Sequence, residues 1–289
     1  MTDRRSFLYT LGSALVGAAC ARSSSDSNAG TSENTSQSAQ RLDRIGIQLY
    51  TVRRDMERDF EGTLARVAEI GYREVEFAGY YGRSASDVRA VLARVGLTAP
   101  ASHVGLPDFR RDVDGVIAMA SGIGASYLVV PWLDESQRKT LDDYRRIGQE
   151  LNGIGEKVRA AGMRLGYHNH DFELARMDGR LPLDVLLEEA DPNLVVLELD
   201  LYWAVKGGID PIAYFAQYPR RIHLVHVKDS AGAPEHRQVD VGKGTINFAQ
   251  IFARREQAGI RHAFVEHDNP PSTAETMASS YQFLSQLRW

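Results

Sequence analysis

The chain has 289 residues, 43% of them hydrophobic and 25% charged, with 25 glycines and 10 prolines. Those proportions suit a globular protein and exclude a collagen-like, coiled-coil or wholly disordered chain. A formal net charge of −4, from 34 basic and 38 acidic residues, gives no electrostatic reason to expect nucleic acid as a partner. The single cysteine, Cys20, excludes an intrachain disulfide and any cysteine-based zinc site.

Residues 1–20 read as an export signal. Arg4 and Arg5 precede an uncharged stretch from Ser6 to Ala21, and small residues (Gly17, Ala18, Ala19) lead into Cys20. That stretch is too short for a bilayer span, which needs about 20 residues, but it fits a basic n-region and a short apolar h-region. The arginine pair followed by Phe7 and Leu8 resembles a twin-arginine (Tat) signal. Residues 21–41 form a tether: seven serines lie between Ala21 and Gln40, and almost nothing there can enter a core. A tether after a small-residue–Cys junction resembles a bacterial lipoprotein. Its implications are lipid attachment at Cys20 and a periplasmic or membrane-anchored location, although Gly17 stands where a Leu or similar residue is usual. Residues 1–40 carry three acidic and three basic groups, so their removal leaves the net charge unchanged.

From residue 42 to 289 short β-rich runs alternate with helical patterns. The predicted strands are 45–50, 74–78, 98–103, 127–131, 164–168, 195–200, 222–228 and 263–266. Apolar spacing of three and four marks the helices between them, as in Leu64, Val67, Ala68 and Ile70. Gly71, Gly96, Gly124, Gly162 and Gly259 each follow a helical run and precede a strand, where a left-handed residue is wanted. Eight β-α units in about 250 residues predict a single-domain (β/α)8 TIM barrel. The competing open doubly wound sheet lacks its Gly-x-Gly-x-x-Gly turn.

Polar residues collect at one end of these strands. Gln48, Glu76, His103, His168, Asp200, His226, Lys228 and Glu266 lie at or near strand C-termini, where this fold keeps its active sites. Residues two apart share a face, so Glu198 with Asp200, and His226 with Lys228, point the same way. His168, Asp200, His226 and Glu266, one from each of strands five to eight, offer two nitrogens and two oxygens to a divalent metal ion (Mn2+, Co2+, Zn2+ or Mg2+). A metal-free hydrogen-bonded cluster is the competing reading.

The segments Gly46–Arg53, Tyr167–Glu173, Leu199–Trp203, His226–Asp229 and Phe264–Glu266 together resemble the xylose isomerase-like TIM barrel superfamily of sugar phosphate isomerases and epimerases. The resemblance covers residues 42–289 and implies the same four ligands. His168 departs from the ketose epimerases, which put a glutamate there and use two glutamates as paired bases; a histidine looks more like the inosose dehydratase branch. The expected function is a metal-dependent sugar isomerase or epimerase acting on an unphosphorylated keto-sugar through α-proton abstraction and a stabilised enediolate. The alternatives are a lyase on keto-glycosides or keto-polyols and a non-catalytic sugar-binding lipoprotein. Glu266 is the first choice of base, with His170, Glu198 and Lys228 in reserve. Gln48, Glu76, His103, Trp203 and Arg237 are expected to meet substrate, and Trp132 could wall the pocket. Gly242-Lys243-Gly244 resembles a closing loop of the family, or reads as a simple turn. A small-molecule sugar is the expected partner, nucleic acid is not, and a homo-oligomer is compatible with the sequence.

Overall fold

The computed structural model describes residues 39–289, so the export signal, Cys20 and all of the tether except its last residues lie outside the described residues. Eight parallel strands close into a barrel: β1 (Gly46–Gln48), β2 (Glu74–Phe77), β3 (Thr98–His103), β4 (Tyr127–Val130), β5 (Arg164–His168), β6 (Val195–Asp200), β7 (Ile222–Val227) and, after a small ribbon, β10 (His262–Val265). The fold is the predicted TIM barrel. The ribbon, β8 (Asp229–Ser230) with β9 (Gln238–Val239), is antiparallel and was not expected. Each of its strands has two residues, too few to show a period.

Alternation along the strands sorts side chains into two layers. Val195, Leu197 and Leu199 of β6, and Val225 and Val227 of β7, join the large core between strands and helices. Their alternates Val196 and Leu224, with Ala101, Tyr127, Val129 and Phe264, fill the barrel interior as a separate apolar plug. Continuing along the interior faces from Val196 and Leu224 leads to Glu198, Asp200, His226 and Lys228, all buried. The apolar plug therefore forms the base on which the polar residues stand.

The five glycines expected to end helices all have positive φ, from 72° at Gly96 to 126° at Gly71. Gly96 and Gly124 adopt the left-handed conformation in which a Cβ would be strained. The helix Leu106–Ile123 is broken at Asp112 (φ −157°, ψ 75°), whose carboxylate accepts the Gly115 N–H at 2.9 Å and starts the helix afresh. At the start of the described chain, Gln40 exchanges backbone hydrogen bonds with Trp289 (2.8 and 3.2 Å) and accepts its indole N–H. The barrel's ordered contacts thus begin just inside the segment assigned to the tether.

Candidate active site

Parallel register brings the polar positions to common heights. Gln48 lies beside Glu76, His168 beside Glu198, and Asp200 beside His226. Two tiers result.

The lower tier is a closed network. Gln48 Nε2 donates to Glu76 Oε2 at 2.8 Å, His226 Nε2 lies 2.7 Å from the same oxygen, and His103 Nε2 is 2.6 Å from Glu198 Oε2. Burial and the neighbouring Glu198 raise the Glu76 carboxyl to about 7. Burial opposes charge on His103, but Glu76 and Glu198 outweigh it and raise its pKa. Burial likewise opposes ionisation of Glu198, yet His226 and His103 hold it well below the usual range.

The upper tier holds Asp200, Glu266, Lys228 and Asp268. Asp200 serves twice: Oδ1 accepts the Trp203 N–H (2.9 Å) and caps the helix Leu201–Lys206, leaving Oδ2 turned inward. Lys228 Nζ sits among three carboxylates, 3.0 Å from Asp200, 2.8 Å from Glu266 and 2.8 Å from Asp268. Against burial, those three carboxylates raise the ammonium well above its ordinary value. Lys228 and His226 overcome burial at Glu266 and keep it ionised. At Asp200 burial wins, and its carboxyl rises to about 6. Burial and the positive His226 lower His168 to about 3, so it stays neutral.

Among the described residues two groups could hold a metal ion: Asp200, His226 and Glu266, and the deeper set His103, His168, Glu198 and His226. The upper group fits better. His226 Nδ1 lies 2.7 Å from Glu266 Oε2 and 3.9 Å from Asp200 Oδ2, and His168 Nε2 lies 3.9 Å from that same oxygen. Atoms bound about 2.1 Å from one shared ion would sit roughly 3–3.5 Å apart. Protein groups already engage these atoms, His226 Nδ1 by Glu266 Oε2 and Asp200 Oδ2 by the Lys228 ammonium at 3.0 Å; a divalent ion would take the place of the His226 proton. Histidine and carboxylate together suit a borderline or moderately hard divalent ion. Three of the four expected ligands, Asp200, His226 and Glu266, therefore form one group, while His168 lies beside Asp200 but groups with the deeper set.

A cavity of about 960 Å3 opens above this floor. His103, His168, His170, Trp203, Lys228 and Glu266 reach its wall, with Trp132 beside them. Gln48 and Glu76 do not: both are fully buried in the lower tier and bonded to one another. Arg237 is exposed on the ribbon and is also absent from the wall. Gly242, Lys243 and Gly244 form a tight turn outside the cavity. The Gly242 and Gly244 N–H groups donate to Asp229, and Lys243 pairs with Asp240. Two functional neighbours escaped sequence reasoning. Asp268 follows the last strand and holds Lys228. Glu173 accepts the Tyr167 hydroxyl (2.5 Å) and the His170 N–H (2.8 Å), fixing the backbone that carries His170. His170 Nδ1 is buried without a partner, and burial plus His168 lower its pKa well below the ordinary value.

The model of the xylose isomerase-like TIM barrel matches residues 64–287. The chain belongs to that family. An inosose dehydratase of Geobacillus kaustophilus is 26% identical over 229 residues, covering 66% of this chain and 74% of that protein. One of Lacticaseibacillus casei is 31% identical over 158 residues, covering 49% of this chain and 52% of that one, so the match spans about half its length. A solved sugar phosphate isomerase/epimerase of Parabacteroides distasonis superposes with a TM-score of 0.74 at 27% identity, covering 87% of this chain and 96% of that one. These relatives support an enzyme.

Proposed function

We propose that the protein removes the proton next to the carbonyl of an unphosphorylated keto-sugar and then eliminates a β-oxygen substituent, as a lyase. The observation that carries this reading is His168. Two-base proton exchange needs a matched acid/base pair on opposite faces of the substrate, and His168 occupies one of those places as a neutral ligand beside the single carboxylate Glu266. The inosose dehydratase relatives support the same outcome.

His168, Asp200, His226 and Glu266 would hold a divalent ion, which when bound supplies Lewis-acid polarisation of the substrate carbonyl. Lys228 Nζ, positive and facing the cavity, stabilises negative charge as it develops on the substrate oxygen. Glu266 is tied to Lys228 and His226 and is a weak base. His170 lines the cavity unprotonated, with a ring nitrogen that has no hydrogen-bond partner, and is the proton acceptor of this reading. It takes the α-proton while the C–H electron pair moves into the enolate. When the enolate collapses the β C–O bond breaks, a C=C bond forms, and the imidazolium returns its proton to the leaving oxygen. No net oxidation occurs. Return of the proton to carbon instead gives an isomer or epimer, the second reading, which the Parabacteroides structure favours.

The charge of the wall supports an unphosphorylated substrate. Five carboxylates (Asp108, Asp112, Asp171, Glu266 and Asp268) line the cavity against two permanent cations, Arg111 and Lys228. Both cations are already paired, Arg111 to Asp108 at 2.5 Å and Lys228 to its three acids. Five carboxylates against two cations leave the wall net negative, which disfavours a phosphate. The twin-arginine-like signal and Cys20 agree with this, because an exported, lipid-anchored enzyme meets free sugars rather than phosphorylated ones.

The test incubates the protein and Mn2+ in D2O with a panel of free keto-sugars and keto-glycosides. An unsaturated or cleaved product supports the lyase, and deuterium at carbon in an intact sugar supports the second reading. Absence of both across the panel refutes enolisation.

A further inference from the structure

The cavity is several times larger than one pyranose ring needs. Its volume of about 960 Å3 sits at the upper end of ordinary ligand pockets, roughly 300–1,000 Å3. Only its floor carries the chemistry described above. The rest of the wall includes Tyr80, Trp132 and Phe172 and, from the broken helix, Asp108, Arg111 and Met119.

Three large hydrophobic side chains are exposed among the described residues: Tyr50 at 42%, Tyr81 at 38% and Trp132 at 45%. Two of them, Tyr50 and Trp132, lie on the cavity wall, and Tyr81 adjoins the wall residue Tyr80. Isolated apolar side chains on a surface need no explanation, but a set concentrated at one opening does. Trp132 is also held in place. Its ring meets His170 edge-on at 4.8 Å and Phe172 at 5.0 Å, while Arg138 stacks on Phe172 at 3.6 Å. Those contacts fix its position and leave nearly half of the residue open. The break at Asp112 places polar groups in the same cavity: Asp108 and Arg111 precede it, and Gly115 follows without a side chain to fill the space. An aromatic face beside carboxylate and guanidinium groups matches a sugar ring, which has an apolar C–H face and a rim of hydroxyls.

We infer that the cavity contains an outer subsite, built from Trp132, Phe172 and the Asp108–Arg111 turn, that binds the second ring of a glycoside whose keto-sugar ring occupies the floor. This rests on the keto-sugar reading of the floor and narrows it from free keto-sugars to glycosides. The site's preference is then for two linked rings.

The experiment titrates the full chain with glucose and methyl glucoside and with maltose, cellobiose and trehalose, following tryptophan fluorescence and heat. At least one disaccharide should bind about tenfold or more tightly than either single-ring probe. Trp132→Ala should narrow that gap by roughly fivefold, the scale of one aromatic contact. Arg111→Ala, at a largely exposed position, should narrow it as well and guards against misfolding of the tryptophan variant. The proposal is overturned if no disaccharide binds more tightly than the single rings, or if the gap survives both substitutions. Failure of the floor reading is seen separately, in the D2O experiment, because these binding contrasts need no turnover.

Discussion

Replacing Lys228 by methionine removes the one permanent cation of the upper tier while keeping the length of the side chain. The ammonium is buried and lies 2.8–3.0 Å from Asp200, Glu266 and Asp268. Breaking a buried ion pair by deleting one partner costs about 3–5 kcal/mol, because the remaining charge is left uncompensated. In a domain of this size each kcal/mol lowers Tm by about 2–4 °C, so Lys228→Met should melt roughly 6–20 °C below the wild type in EDTA. A divalent cation brought to the same carboxylates replaces the missing charge. Mn2+ should therefore raise Tm more in the variant than in the wild type, by mass action on the folded state. Lys206→Met is the control: its pair with Asp171 is partly exposed and contributes about 1 kcal/mol or less. Scanning calorimetry with EDTA and with Mn2+ reads all three proteins. A Lys228→Met melting temperature within about 2 °C of the wild type in EDTA would refute the charge argument. So would equal gains from Mn2+ in both proteins.

Glu173 gives a stability difference that depends on pH. Burial raises its carboxyl to about 7 from an ordinary 4.5, so the folded state holds that proton more tightly than the unfolded state. The wild type then loses stability as pH climbs from 4.5 through 7, up to roughly 3 kcal/mol from this group. Glu173→Gln cannot ionise and should be the more stable protein at pH 8, with a smaller difference at pH 5. Urea melts at the two pH values check this, and a gap independent of pH contradicts it. Asp229→Ala removes the carboxylate that accepts N–H groups from Ser230, Gly242, Gly244 and Ile246 at 2.8–3.2 Å. It should cost roughly 2–4 kcal/mol and speed hydrogen exchange at Gly242 and Gly244; unchanged exchange there would show that the turn holds without it.

The barrel was legible because its strands and helix ends are written locally. The Val195–Asp200 run and the helix-ending Gly96 and Gly124 mark boundaries without reference to the rest of the chain. Glu198 and Asp200, or His226 and Lys228, could be assigned a shared face because the strand period is two. Depth along that face was not legible. Gln48 and Glu76 lie at or near the ends of their strands much as His168 does, yet register and barrel stagger set both below the cavity wall. Sequence position carries no record of which neighbour a strand residue will stand beside. Asp268 and Glu173 lie beyond strand ends on loops, where no periodicity applies, and the break at Asp112 is visible only once its carboxylate is seen to cap Gly115.

Gln48 and Glu76 hold a defined place even away from the cavity wall. An imidazole offers two nitrogens, and the partner taken by one decides what the other can do. His226 Nε2 lies 2.7 Å from Glu76, whose carboxylate is itself held by Gln48. That engagement turns Nδ1 toward Glu266, and Nδ1 is the nitrogen that a metal in the upper tier would need. Gln48 Oε1 in turn accepts the Tyr50 N–H at 2.9 Å and caps the turn after β1, so its own orientation is set by the backbone. A chain of fixed contacts thus runs from the end of β1 to the nitrogen that His226 turns toward the upper tier. Gln48 and Glu76, expected to grip sugar hydroxyls, instead stand behind His226. Their polarity at strand ends was the right signal, read one layer too high.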